Sequence, residues 1–277
     1  MKRKNRIFWI VCASLAGAGL VCVIIGFMMG AGTGEFKNRL TRSLVIGDTT
    51  FRNTTWKDTH SNLSREAGQY EGIRELELDV SIGELEIISH DESYIKVEAD
   101  YDSKWQEISM TQNGNTLRVT SAFHVGYRLR NPVAGKVILY VPRGMEFDKA
   151  DIELGIGDLY VENMQTREFE LRVGVGRAIV DNLSTKELRL DAGTGEIDAR
   201  NIQVEEGDIK AGIGSIYMKL LGGQKEYNYN INVGIGSVEI GNDRYSGLGR
   251  EKEIDNGADK ELDFECGIGN IEVTFVK

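Results

Sequence analysis

From Leu78 onward, apolar residues fall at alternate positions in short runs, and the same arrangement returns seven times. Each segment opens with two apolar residues spaced two apart: Leu78 and Val80, Ile152 and Leu154, Leu171 and Val173, Leu190 and Ala192, Ile209 and Ala211, Ile231 and Val233, Phe264 and Cys266. A second pair follows: Leu85 and Ile87, Leu159 and Val161, Ala178 and Val180, Ile197 and Ala199, Ile216 and Met218, Val238 and Ile240, Ile271 and Val273. Period two predicts a strand with one buried face. The two pairs of a segment have opposite parity. A straight strand would turn its second half outward, so the chain must bend between them.

Glycine marks the bend. Gly155-Ile156-Gly157, Gly174-Val175-Gly176, Gly193-Thr194-Gly195 and Gly212-Ile213-Gly214 stand 19 residues apart. Gly234-Ile235-Gly236 and Gly267-Ile268-Gly269 follow after steps of 22 and 33, and Ser81-Ile82-Gly83 is an earlier copy that keeps the second glycine. Glycine suits a corner because it tolerates positive φ and carries no side chain to collide with a neighbouring coil. One unit reads as strand, glycine corner, strand, turn. Such a unit cannot bury its apolar face alone, but stacked neighbours can. The expected fold is all-β, a β-solenoid or a closely related stack of strand repeats, roughly 34 Å long at about 4.8 Å per coil.

Between the first two copies, Ile95–Ala99, Ile108–Gln112, Thr116–Ser121 and Val137–Val141 read as strands, with Asn113-Gly114 as a hairpin turn. Pro132 and Pro142 sit at strand ends. Residues 72–142 are expected to form a capping sheet and 143–277 the regular repeats, together one domain over 72–277.

The N-terminus follows different rules. Ile7 to Gly30 carries no charge, and its 24 residues make a helix of about 36 Å, enough to cross a hydrocarbon core of about 30 Å. Lys2, Arg3, Lys4 and Arg6 precede it, against Lys37, Arg39 and Arg42 beyond, which places the N-terminus inside. The expectation is a basic cytoplasmic segment over 1–6, a transmembrane helix over 7–30, and a linker or stalk over 31–71 with a short helix at Glu35–Leu44. Cleavage near Gly30-Ala31-Gly32 is the alternative to a retained anchor. Val11 and Val21 are too large for the position before a lipidated cysteine, so Cys12 and Cys22 read as apolar packing.

Composition narrows the classes. The chain has 33 glycines in 277 residues but only two prolines, which excludes collagen and proline-rich linkers. Three cysteines exclude a disulfide scaffold. The formal charge is −10, and beyond the four basic residues of the first six positions the chain carries 29 basic against 43 acidic residues, a net −14. A body that acidic repels phosphate backbones, anionic lipid and anionic wall polymers, and nucleic acid is excluded as a partner.

Gly72-Ile73-Arg74-Glu75-Leu76-Glu77-Leu78-Asp79-Val80, Val141-Pro142-Arg143-Gly144 and the Gly-x-Gly-x-apolar repeats after them resemble the bacterial "putative adhesin" β-strand-repeat family, a domain of unknown function. The resemblance covers about Gly72 to Lys277. It implies surface attachment and, as in similar proteins, an N-terminal membrane segment; some similar proteins are associated with envelope-stress regulation. No site residue is implied.

Catalytic chemistry needs placed acids, bases or nucleophiles. His60, His90 and His124 lack metal-ligand or triad spacing, and Cys266 fills a slot held elsewhere by Val, Ala or Leu. The Gly-x-Gly copies lack the rest of a dinucleotide fingerprint, and the 19-residue period does not fit the nine-residue calcium β-roll. No catalytic residue, metal or cofactor is expected. The acids fall in columns two before the first glycine (Asp79, Glu153, Arg172, Asp191, Lys210, Asn232, Glu265) and three after it (Glu84, Asp158, Arg177, Glu196, Ser215, Ser237, Asn270). Stacking would pair opposite charges along them. Tyr160 and Tyr217 are expected outward, with Tyr227, Tyr229 and Tyr245 nearby; outward tyrosines can stack on sugars. The long step from Gly241 to Glu261, with Arg244, Tyr245, Arg250, Glu251 and Lys252, reads as a loop insertion.

The reading from sequence is a non-enzymatic, single-pass membrane protein whose extracytoplasmic β-repeat body attaches to or organises the cell envelope. Its partners would be the membrane and either an envelope polysaccharide or a protein. The alternative is an envelope-stress signalling component that binds a partner protein; a third class is a polysaccharide-active enzyme.

Overall fold

The computed structural model describes residues 63–123 and 135–276. The span predicted at 7–30, the segments on either side of it as far as residue 62, and His60, His124 and Pro132 lie outside the described residues. Among the described residues no helix is long and apolar enough to cross a membrane.

The described residues are almost entirely extended. In order it forms β1 (Leu63–Tyr70), β2 (Glu75–His90), β3 (Ile95–Asp102), β4 (Gln106–Asn113), β5 (Thr116–Phe123), β6 (Gly135–Pro142), β7 (Glu146–Ala192), β8 (Glu196–Ile202), β9 (Glu206–Ala211) and β10 (Ser215–Leu221). After a 3₁₀ turn at Gln224–Glu226 come β11 (Tyr227–Val233), β12 (Ser237–Ile240), β13 (Asp243–Ser246), β14 (Arg250–Ile254), β15 (Lys260–Cys266) and β16 (Asn270–Val276). The four strands expected between the first two repeats are β3 to β6. β4 and β5 form the hairpin, with Asn113 opposite Thr116 and Gly114 at φ +62°.

Parallel pairing at a 19-residue offset makes the stack. Glu187 lies beside Glu206, Arg177 beside Glu196, and Glu196 beside Ser215. Both predicted apolar pairs of every repeat point inward: Leu154 and Leu159, Val173 and Ala178, and Ala192 and Ile197 are all buried. The parity change at Gly-x-Gly is therefore real.

Parity also changes twice more per turn of the coil. Val161 is followed inward by Met164, and Thr166 by Phe169, all buried. The single predicted turn is thus two bends. The first is held by an asparagine with positive φ, at Asn163 (56°), Asn182 (58°) and Asn201 (55°). These stand 19 apart and tie the coils together: the Asn182 amide donates to Asn163 Oδ1 at 3.0 Å, and that of Asn201 to Asp181 Oδ1 at 3.0 Å. Asparagine tolerates this backbone region better than other side-chain-bearing residues. The second bend uses buried Thr166 and Thr185, whose hydroxyls donate to the carbonyls of Glu168 and Glu187.

The stacking order departs from the chain order. β15 pairs on one side with β9 and on the other with β11, while β16 lies between β10 and β12. The last repeat is inserted between the fifth and sixth of the sequence. The segment read as a loop insertion explains this. β13 pairs antiparallel with β12, and β14 antiparallel with β11, so 243–254 runs backwards over the sixth repeat and occupies its outer edge. The final repeat is left the inner edge. The opposite end is closed likewise: β3 and β4 run backwards over β6 and β5. A reversed coil at each end covers the parallel edges that would otherwise invite further pairing. β1 extends the first cap by pairing with β3. Its residues, Leu63–Tyr70, fall inside the predicted stalk. Their mostly polar, exposed pattern is that of an edge strand and gave no alternation to read.

Candidate functional site

Close packing at the corner sets the geometry of the outer faces. A Cβ on Gly157 would lie 1.8 Å from the carbonyl oxygen of Gly83, and one on Gly214 2.0 Å from that of Gly195. Gly157 also adopts φ +145°, whereas Gly214 carries no positive φ, so close approach between coils is the demand the two share. With the corners drawn tight, side chains of successive coils stand in straight columns.

The strands before the corner present three such columns. The first holds Glu75, Lys149, Glu168, Glu187, Glu206 and Glu261. The second holds Glu77, Asp151, Glu170, Arg189, Asp208, Asp263 and Asn230. The third holds Asp79, Glu153, Arg172, Asp191, Lys210, Glu265 and Asn232. Inserting the last repeat carries the alternation of the third column one step further than the sequence order suggests, because Lys210 lies between Asp191 and Glu265.

Cations knit the N-terminal half of this face. Arg172 reaches Asp151 at 2.9 Å and Glu153 at 3.5 Å, and pairs with Glu170. Arg189 bridges Glu170 at 3.5 Å and Asp208 at 3.7 Å. Asp79 is pushed above the usual carboxylate range, chiefly by burial and then by the charge of Glu153, with Arg172 opposing. Toward the C-terminal half the acids crowd. Glu187, Glu206 and Glu261 occupy three successive rungs, with Asp208 and Asp263 beside them. The Asn230 amide donates to Glu261 and Asp263, at 2.7 Å each. A shallow groove of about 240 Å³ runs along this region, lined by Lys149, Glu168, Glu170, Glu187, Arg189, Glu206, Asp208, Glu261 and Asp263. A second groove of about 580 Å³ adjoins it along Asp208, Lys210, Asn230, Asn232, Asp263 and Glu265, and both lie open along the face rather than enclosed. Among the described residues no group of three or more His, Cys, Asp or Glu is placed to hold a metal ion.

The strands after the corner present a mixed face. Arg177 pairs with Glu196 at 3.1 Å and Asp198 at 3.5 Å, but beyond them the column becomes Ser215, Asn270 and Ser237. Tyr160 is half-buried here and Tyr217 exposed.

Two tyrosines considered for surface recognition are core residues. Tyr227 and Tyr229 are fully buried, and their hydroxyls donate to the carbonyls of Val204 and Gln224. Both alternate inward with Ile231 and Val233 on β11, and the large ring volume fills the coil nearest the C-terminal cap. Burial pushes the Tyr227 phenol up to about 12. Tyr245 packs partly against the core. Cys266 is buried among the repeat's apolar positions, its thiol pushed up by burial and donating to Gly269 O at 3.1 Å. His90 is half-buried, with Nε2 2.7 Å from the Tyr94 carbonyl oxygen. The structure gathers no histidine, thiol and carboxylate into one constellation among the described residues. What sequence reasoning missed was the two further acidic columns, which 19-residue spacing alone would have revealed, and the asparagine corner.

Comparisons with known proteins place this architecture. No curated protein matches the chain. Among solved structures, a "putative cell adhesion protein" from Clostridium sporogenes is 18% identical over 77% of this chain and 100% of its own, with a TM-score of 0.43. A "putative adhesin" from Bacteroides fragilis is 12% identical over 77% and 98%, with a TM-score of 0.45. Another from Parabacteroides merdae is 15% identical over 78% and 97%, with a TM-score of 0.37. The family model described as Toastrack DUF4097 matches residues 73–274, most of the chain, and the protein belongs to that family.

Proposed function

We propose that the protein is a membrane-anchored, extracytoplasmic binding module without catalytic activity, which holds a partner on the acidic face formed by the strands before the corner. The observation that carries this reading is the run of acidic rungs Glu187, Glu206 and Glu261 with Asp208 and Asp263 alongside. A flat, charged, multi-rung surface suits an extended contact with a macromolecule rather than enclosure of a small substrate. The uncharged run Ile7–Gly30, with basic residues before it, supports the anchor and its orientation.

The charge also separates the two binding roles. A face of this sign repels anionic wall polymers and attracts basic protein surfaces. That favours a partner protein, as in envelope organisation or stress signalling, over attachment to an anionic polymer. The test uses the full chain. Protease added to spheroplasts should digest the body and leave the first six residues protected. Full-length protein in lipid nanodiscs, incubated with solubilised envelope proteins and separately with purified wall material, should retain protein. Retention of wall material alone would favour adhesion, and a body protected until lysis would defeat the extracytoplasmic reading.

A further inference from the structure

The middle residue of each Gly-x-Gly projects from the corner between two residues that have no side chain, so nothing beside it on its own strand covers it. Along the C-terminal half of the stack these residues are Val175, Ile213, Ile268 and Ile235, exposed by 45%, 48%, 41% and 60%. Ile213, Ile268 and Ile235 follow one another in space, with Thr194 between Val175 and Ile213. The Ile213 amide donates to Gly193 O at 2.8 Å, that of Ile268 to Gly212 O at 2.8 Å, and that of Ile235 to Gly267 O at 2.7 Å. The reversed cap adds one more. Gly247-Leu248-Gly249 links β13 to β14, and the Gly249 amide donates to Gly234 O at 3.0 Å, which sets Leu248, 85% exposed, at the end of the file. The fold does not require apolar residues there. Thr194 holds the equivalent place in the middle of the file, exposed and with the same backbone pairing. An apolar ridge on an otherwise acidic body marks a contact surface.

We propose that this ridge is a lipid-contacting edge, which lays the C-terminal half of the stack against the surface of an uncharged bilayer and places Ile213, Ile268, Ile235 and Leu248 among its headgroups. The inference rests on the anchor reading above and adds a second contact with the same membrane. The ridge itself carries no charge. On one flank its last three repeats present Ser215, Asn270 and Ser237, and on the other Lys210, Glu265 and Asn232. The flank of Ser215, Asn270 and Ser237 is the side from which an acidic body meets lipid with little charge desolvated; the other, where Glu251 of the cap lies beside Asn232, stays toward water. An anionic surface would still repel the body. The tether permits the contact: residues 31–62 span at most about 110 Å when extended, more than the length of a stack of about ten rungs spaced about 4.8 Å. A single file of side chains on a convex edge suits a deformable lipid interface. It offers far less than the about 800 Å² per partner buried in a stable protein dimer.

The test uses the full chain in phosphatidylcholine vesicles. Ile235→Trp adds an indole at an exposed site, read as the difference from wild type because Trp9, Trp56 and Trp105 are native. With brominated phosphatidylcholine, the added indole should lose more than half its intensity and resist aqueous acrylamide. Adding Ile213→Asp and Leu248→Asp should abolish that quenching without shifting the urea midpoint. An added indole open to acrylamide and insensitive to bromine overturns the proposal. So does one protected from both quenchers, which would mean a protein partner such as a second copy covers the ridge. Alkaline carbonate separates the two readings. A carbonate-resistant chain whose added indole is unquenched overturns the ridge and leaves the span; quenching in a chain that carbonate strips from the vesicles overturns the span and leaves the ridge contact standing.

Discussion

Gly214→Ala puts the packing of the corner under direct strain. The new Cβ would sit 2.0 Å from the Gly195 carbonyl oxygen and 3.1 Å from its carbon, where ordinary contact begins near 3.4 Å. The two coils must therefore separate by more than 1 Å at that point. The bonds most exposed to that movement are Ser215 N–H to Gly195 O, at 3.1 Å, and Gly214 N–H to Gly193 O, at 3.2 Å. Losing two bonds at about 1 kcal/mol each, with about 1–3 kcal/mol for overpacking, gives about 3–5 kcal/mol. That is a large part of the about 5–15 kcal/mol available to a typical domain. Two controls isolate the cause. Gly114→Ala has positive φ (+62°) but nothing within 4 Å, so it should cost only the backbone term of about 1–2 kcal/mol. Ile213→Ala, beside the target but 48% exposed, should stay within about 0.5 kcal/mol of wild type. Urea melts of the full chain in detergent, followed by circular dichroism, would read all three. A Gly214→Ala protein that melts within about 1 kcal/mol of wild type would refute close packing as the reason for the second glycine.

Three further outcomes follow from the side-chain columns and the core. Arg172→Glu, which replaces the cation between Asp151, Glu153 and Glu170, should destabilise by roughly 1–2 kcal/mol at low salt; urea melts should show the loss shrinking as salt rises, because Arg172 is 37% exposed. Asn182→Ala should cost more than Asn182→Gly in the same melts, since both lose the bond to Asn163 but only alanine resists φ 58°. Tyr227 is raised from its ordinary 10 to about 12 in the folded protein. Its contribution is fully present below pH 10 and should be lost as pH rises toward 12, because the unfolded chain releases that proton first; urea midpoints of wild type and Tyr227→Phe should converge over that interval.

The inward positions were legible because alternation and its parity change report burial directly, and no other element in the body competes with that signal. Leu154, Val173 and Ala192 needed nothing beyond their spacing. The order of the last two repeats was not legible. Both neighbours of β15 offer the same apolar pair and the same corner, so the choice is made by which edge β13 and β14 already cover. Those strands are four and five residues long and mostly exposed, with too few inward positions to read as strands. From the sequence Tyr227 and Tyr229 stand out only for lying near Tyr217; a tyrosine's amphipathic ring serves a surface or a core equally well, and their parity with Ile231 is the sign that places them inward. Of the acidic face, only the column of Asp79, Glu153 and their equivalents was read from the sequence; its concentration toward the C-terminal half depends on Glu261 and Asp263 arriving between Glu206 or Asp208 and β11, which only the inserted order produces.

The most direct measurement compares capture by wild type and by a charge-reversed face. Glu187→Lys, Glu206→Lys and Glu261→Lys together invert three successive exposed rungs without touching the core. Full-length proteins in nanodiscs would be incubated with the same solubilised envelope proteins at low and at physiological salt, and the retained proteins quantified. The account predicts that the wild type retains a partner whose capture weakens with salt, and that the triple variant loses at least tenfold of it while its urea midpoint stays at or above that of wild type. Equal capture by both proteins, at either salt, would contradict the assignment of this face as the binding surface.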